Sequence, residues 1–179
     1  GRNVTEFTPG ERVYPYPRYA KNDTRRAGTI GGFSEYILLP QAKRNHSLYA
    51  VDEAISDRLA SLIEPFTVGC RAARRGMVPA GECQYISGQN ALVFGGGTIG
   101  IAAAVAFKHF GMDKVMVCEH SDFRLKLAAG LVFETCNTAN EDFEAHAKSY
   151  FGIAPSMSGD APDIDCWLDA AGGEDILAD

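Results

Sequence analysis

Cysteine pairs at metal or disulfide spacing are missing from this sequence. The five cysteines, Cys70, Cys83, Cys118, Cys136 and Cys166, stand far apart and include no CxxC. The odd count and wide gaps exclude a disulfide framework and a zinc-finger lattice. The thiols read instead as small buried groups of a reducing, cytoplasmic compartment. Long apolar runs are missing too: no stretch approaches the roughly 20 residues of a membrane helix. The polar opening GRNVTEFTPGER is not a signal peptide, so no membrane partner is expected. Basic residues are outnumbered, 17 against 23 acidic, for a net charge of −6. Without a basic stripe, nucleic acid is not an expected partner either. The four histidines, His46, His109, His120 and His146, show neither HExxH spacing nor a neighbouring carboxylate pair, and read as surface residues. Asn3, Asn22 and Asn45 head N-x-S/T triplets that, with no secretory signal, read as chance matches.

What is present is apolar residue in quantity, 46% of 179 positions, and 19 glycines. Residues 1 to about 50 read as β-rich, with Pro9, Pro15 and Pro17 forbidding a long helix. Gly31-Gly32 precedes FSEYILLP, where Phe33, Tyr36, Ile37, Leu38 and Leu39 predict a strand stopping before Pro40. From Ser56 the spacing of Ile55, Leu59, Leu62 and Ile63 predicts a helix, capped by Ser56 or Asp57. Pro65 predicts a break at Glu64, and a second helix then runs from about Thr67 to Arg75 and closes at Gly76.

Beyond Ala91 the pattern alternates. ALVF (91–94), KVMVC (114–118), a segment near 132–136 and IDCWLDAAG read as strands. TIGIAAAVAFKHFG, a run from about Ser121 to Ala129 and one near 141–151 read as helices, IAPSMSGDAPD as a loop, and GEDILAD as the start of another helix. Such alternation predicts an α/β fold with a parallel, doubly wound sheet.

Gly95, Gly97 and Gly100 match G-x-G-x-x-G in VFGGGTIGIAAA, and Glu119 follows the second strand nineteen residues past Gly100. Alone the glycine pattern is weak, but here a strand precedes it, a helix opens inside it and an acid follows. Gly95 permits the tight turn, Gly97 admits a pyrophosphate against the backbone, and Gly100 lets the helix approach the sheet. The N–H groups around Thr98 and Ile99 present donors and a positive dipole end to phosphate. Glu119 would accept from the adenosine ribose hydroxyls and repel a 2′-phosphate, which points to NAD over NADP. Arg124, five residues on, could instead serve a phosphate.

With these residues in view, the chain resembles the medium-chain dehydrogenase/reductase family, on the side of its zinc-dependent alcohol and polyol (sorbitol or threonine) dehydrogenases. GERV, GGFSEYILLP, ASLIEPFTVGCRAARRG, VFGGGTIGIAAAVAFKHFG, VMVCEHSDFRLKLA and DAAGGEDIL occur in the family's order. The resemblance implies a Rossmann-type nucleotide domain, here incomplete, over residues 66–179. It is preceded over residues 1–65 by part of a β-rich GroES-like catalytic domain. It implies that Glu64 matches the acidic catalytic zinc ligand, and that Thr67 and Val68 lie near the nicotinamide ring. Ala170, Ala171 and Gly172 match a loop beneath the adenosine half. It also implies a small alcohol or polyol substrate, NAD and a catalytic zinc as cofactors, and a homo-oligomer at full length.

The sequence departs from the family too. The other zinc ligands of the family, a Cys and a His-Glu pair, are not here, and PYPRYAKNDTRRAGTI holds none of the four cysteines of the family's structural zinc lobe. No structural zinc is therefore expected. AGECQYISGQN lengthens the approach to the first strand. The chain reads as an internal piece of a longer enzyme, without activity by itself. Three other readings stay open: a zinc-independent, NADPH-dependent reductase of the same superfamily, a non-catalytic NAD-binding module, and a piece whose role is assembly.

Overall fold

The computed structural model describes residues 3–19, 35–81, 84–86, 88–157 and 159–172. Its contacts divide the chain into two compact units, Gly1–Leu62 and Ile63–Asp179.

In the first unit β1 (Val13–Pro15) pairs antiparallel with β2 (Leu48–Ala50), with Tyr14 opposite Tyr49. A 3₁₀ turn occupies Pro17–Tyr19, and α1 (Asp57–Ala60) starts at the expected cap, where Ser56 Oγ accepts from Leu59 N. Leu48 is the one buried hydrophobic side chain among the unit's described residues. Polar contacts gather instead around Arg44, which donates to Glu6 O, pairs with Glu11 and lies over the Phe7 ring. Half-exposed pairs of this kind are worth little in stability.

The strand expected over Phe33–Leu39 is not formed where it can be followed. Residues 36–39 lie outside any strand, with Tyr36 90% exposed. Apolar residues make a strand only where another strand pairs with them, and none does so here among the described residues. Gly31, Gly32 and Phe33 lie outside the described residues.

The second unit is built on a four-stranded parallel sheet in the order β10-β5-β6-β7. Its strands are β5 (Asn90–Phe94), β6 (Lys114–Glu119), β7 (Glu134–Asn137) and β10 (Cys166–Asp169). β5 and β6 are buried along most of their length, as strands covered on both faces must be. On one face Ala91, Val93, Val115 and Val117 pack under α2 (Ile63–Gly76), α3 (Thr98–His109) and α4 (Asp122–Gly130). On the other, Leu92, Met116, Cys118 and Cys136 pack under α5 (Phe143–Phe151). Helices on both faces make the sheet doubly wound, with its switch of direction between β5 and β10. Buried Asn90 ties these two strands together: its N–H donates to Asp165 Oδ2 at 2.7 Å and its amide to Asp163 O at 2.8 Å.

Two elements differ from expectation. Pro65 does not break a helix: α2 runs unbroken from Ile63, and the proline sits in its first turn. A first-turn N–H has no intrahelical partner, so losing it costs nothing. The segment read as a loop after Gly152 is an antiparallel ribbon of β8 (Ile153–Ser156) and β9 (Gly159–Pro162), turning at Gly159 with φ +119°. A shorter ribbon, β3 (Pro79–Gly81) with β4 (Gln84–Tyr85), accounts for the lengthened approach to β5. The helix expected over GEDILAD lies outside the described residues.

α2 and α3 cross closely because Gly69 has no side chain. A Cβ there would stand 2.7 Å from Ala102 Cβ and 2.7 Å from the Ala103 backbone N. Gly69→Ala should therefore destabilise the protein by about 1–3 kcal/mol, although alanine is the better helix former. A denaturant melt checks this, and an unchanged midpoint would refute the packing described.

Candidate functional site

The carboxyl ends of β5, β6 and β10 meet at the glycine turn. β5 ends at Phe94, and Gly95 turns the chain with φ +98°, its N–H donating to Cys118 O at 2.8 Å. This conformation is open to glycine and strained for other residues. A Cβ at Gly95 would also lie 2.8 Å from the Ala170 carbonyl carbon and the Ala171 N. The β10 loop thus packs directly on the turn, and Ala170 N completes the join by donating to Phe94 O at 2.8 Å. At Gly100 a Cβ would stand 1.8 Å from Gly95 O, so only glycine lets α3 sit this close to the strand end.

Gly97 is different. Nothing lies within 4 Å of a Cβ placed there, and no side chain caps the helix that starts at Thr98. The first-turn N–H groups of Thr98, Ile99 and Gly100 lack intrahelical partners, as at any helix start. An open backbone, free first-turn N–H groups and a positive dipole end form a cradle of the shape and charge that a pyrophosphate needs.

Glu119 closes the other side of the turn. Its side chain is 11% exposed, yet the carboxylate is well satisfied. Oε1 accepts from His120 N at 2.8 Å and Ser121 N at 3.1 Å; Oε2 accepts from Gly96 N at 2.9 Å and Arg124 Nη1 at 3.2 Å. Burial by itself would raise this carboxyl, but the donations from His120, Ser121, Arg124 and Gly96 outweigh it and hold it below the ordinary range. Glu119 is therefore a fixed negative charge at the end of β6. Arg124, on α4 and half exposed, gives its guanidinium to this carboxylate.

Gly95, Gly97, Thr98, Ile99, Gly100, Glu119, Arg124, Ala171 and Gly172 all border the turn or the β10 loop packed on it. Val68 and Thr67 are exposed in the first two turns of α2, and the next residue, Gly69, packs against Ile99 O. Both therefore stand within a turn of the start of α3. Glu64 is exposed in the first turn of α2. Among the described residues no group of three ligand-type side chains includes it, so they do not form a zinc site around Glu64.

Two residues of the site lack a signal in the glycine pattern. Gly96 fills a variable position of the motif, yet its N–H holds Glu119, and a Cβ there would press to 3.3 Å on the Glu119 side chain. Asp169 ends β10 and accepts from Ala171 N at 2.8 Å and Gly172 N at 3.1 Å, shaping the loop over the turn. An Asp two residues before a small-residue turn is the one cue that sequence offers for it.

Known proteins resemble the chain in sequence and in fold. No family model matches the chain. It is 30% identical over 135 residues to an L-threonine 3-dehydrogenase of Chromobacterium violaceum, covering 72% of this chain and 36% of that protein. It is 29% identical over 168 residues to an L-galactonate-5-dehydrogenase of Escherichia coli, covering 85% and 46%. The chain thus spans less than half the length of these relatives. Among solved structures, 2R,3R-butanediol dehydrogenase from Bacillus subtilis aligns with a TM-score of 0.62 at 24% identity, covering 83% of this chain and 44% of that one, a likeness of fold. With the glycine turn, the acid behind it and this sheet order in place, the chain is similar in sequence to L-threonine and L-galactonate dehydrogenases over part of their length, as a piece of a medium-chain dehydrogenase/reductase is.

Proposed function

We propose that this chain binds NAD at the glycine turn and belongs to a zinc-assisted dehydrogenase that oxidises a secondary alcohol or polyol. The observation that carries this reading is the Glu119 carboxylate, fixed at the end of β6 by the Gly96 N–H inside the turn. A hydroxyl pair is welcome beside such a charge and a 2′-phosphate is repelled. All four acceptor positions of Glu119 are in use, and the contact from half-exposed Arg124 is the one that ribose hydroxyls would replace. The cradle at Gly97 and the α3 N-terminus would hold the pyrophosphate, and Ala171 and Gly172 would cover the adenosine half.

Bound there, the cofactor supplies the hydride acceptor, and the protein supplies position and charge. Of the catalytic zinc ligands that the resemblance implies, the described residues hold one, Glu64, so the chain's own part in the reaction is cofactor binding. On this reading residues 1–65 are part of the GroES-like catalytic domain, and the full-length enzyme is a cytoplasmic homo-oligomer. The free thiols of Cys70, Cys118, Cys136 and Cys166 agree with a reducing compartment. No described helix is long and apolar enough to cross a membrane.

The reading is tested by assaying the full-length protein against L-threonine and a panel of polyols and sugar acids, with NAD and with NADP, alongside zinc analysis. Turnover with NAD, lost on chelation, is expected. A preference for NADP with no metal dependence would replace the reading with the reductase. NAD binding without turnover or zinc would replace it with a binding module.

A further inference from the structure

The face of the sheet covered by α5 holds a second group of ligand-type side chains, which takes none of the residues assigned to the glycine turn. Glu134 and Cys136 stand two apart on β7 and so point to one face. Cys136 is fully buried there beside Cys118 and Ala147. His146, on α5, engages both ring nitrogens: Nε2 meets Glu134 Oε1 at 2.8 Å and Nδ1 meets Glu141 Oε2 at 2.9 Å. The β7–α5 loop places Glu141, whose other oxygen accepts from Asn137 N at 2.8 Å. This corrects the expectation that His146 has no carboxylates beside it. The carboxylates come from 12 and 5 residues away, on a strand and a loop, a spacing that matches no local motif.

One ligand atom each from Cys136, Glu141 and His146 lie within 4.8 Å of one another. We propose that these three side chains form a structural site for a zinc-type divalent ion, with Nδ1 of His146 as the nitrogen ligand and water in the fourth position. Tetrahedral zinc, with arms of about 2.3 Å to sulfur and 2.0 Å to nitrogen, holds its donors roughly 3.5 Å apart. The present spacing needs only small side-chain movements to match. A thiolate, an imidazole and a carboxylate select zinc or cobalt over magnesium or calcium, which take oxygen ligands.

Three surrounding features fit the assignment. Glu134 receives Nε2–H and would orient the ring, the carboxylate–histidine–metal arrangement that supports bound metals. Cys136 lies beside Cys118 in the buried cluster, where burial and nearby Glu141 push its thiol up, and a bound cation would supply the charge that its thiolate needs. The Glu141 and His146 side chains are 43% and 24% exposed, which leaves a path of entry to the buried sulfur. Binding releases the Cys136 thiol proton and any proton on Nδ1 to solvent, and joins β7 to α5 across their loop.

The test is cobalt(II) titration of the intact, metal-stripped protein carrying Glu64→Ala, which removes the carboxylate assigned to the other zinc. One ion per chain with a thiolate-to-cobalt charge-transfer band is expected. Cys136→Ser should abolish that band. Glu134→Gln should weaken binding about ten- to a hundredfold. Glu141→Gln, at an exposed position that leaves folding intact, should weaken it at least about tenfold, and it decides the matter if Cys136→Ser does not fold. Loss of the band with Cys136→Ser and weakened binding with Glu141→Gln support the site. No thiolate band, or a band and affinity that these substitutions leave unchanged, overturns it.

Discussion

Replacing Gly100 by alanine is expected to be the most damaging single substitution in the second unit, Ile63–Asp179. The added Cβ would stand 1.8 Å from the Gly95 carbonyl oxygen and 3.3 Å from Val93 Cγ1. The first of these neighbours is backbone, held in turn by the Gly95 N–H bond to Cys118 O and by the Ala170 loop. Relief therefore requires α3 to lift off the strand end, uncovering Ala104 and Phe107. Ordinary overpacking costs about 1–3 kcal/mol, so a clash with fixed backbone should reach at least about 3 kcal/mol. That is a fall of roughly 10 °C in Tm for a domain of this size. Thermal unfolding of the intact protein reads it directly. Gly97→Ala is the control: its Cβ meets nothing within 4 Å, so stability should hold while the phosphate cradle fills. A Gly100→Ala protein melting within a degree or two of the parent would show that α3 does not sit as described.

Glu119→Ala is expected to have the largest effect on cofactor choice. Hydrogen bonds to a charged group are worth about 1.5–3 kcal/mol each. Loss of the carboxylate should therefore weaken NAD binding roughly ten- to a hundredfold. NADP should lose far less, because the repulsion of its 2′-phosphate disappears with the same substitution and Arg124 is released from its 3.2 Å contact. The two dissociation constants should converge or cross. Glu119→Gln separates charge from shape: it keeps an acceptor for His120 and Ser121 N–H but removes the negative charge. Discrimination that follows charge falls in both variants. Unchanged NAD affinity in either would remove Glu119 from the site.

Most of the second unit's fold was legible because parallel strands buried on both faces leave strong local marks. ALVF and KVMVC are continuous apolar runs, and each is followed by a glycine or serine that starts a helix, as the structure has it at Gly97 and Ser121. The geometry of the turn was legible for the same reason, since Gly95, Gly100 and Glu119 lie within one strand–helix–strand unit. What was hidden depends on distant partners. The segment around Tyr36 has strand composition, but composition supplies no neighbouring strand. Pro65 marks a break or a beginning equally well, and only the start of α2 at Ile63 decides between them. The β8–β9 ribbon carries exposed, proline-containing residues without alternation, so its pairing left no pattern to read. Gly96 and Asp169 serve the site through backbone N–H groups, to which residue type is nearly blind. His146 gains its carboxylates from a strand and a loop brought beside α5 by the crossover itself.

The central claim is that a glycine turn and one fixed carboxylate make this unit a site for NAD. Equilibrium titration of the intact protein with NAD and NADP, repeated on Gly97→Val, tests it most directly. Saturable binding of one NAD per chain is expected, with NADP weaker by at least about tenfold, a difference of about 1.4 kcal/mol, and with NAD binding lost in Gly97→Val while its melting temperature is kept. No NAD binding by the folded parent protein, or tighter binding of NADP, would contradict it.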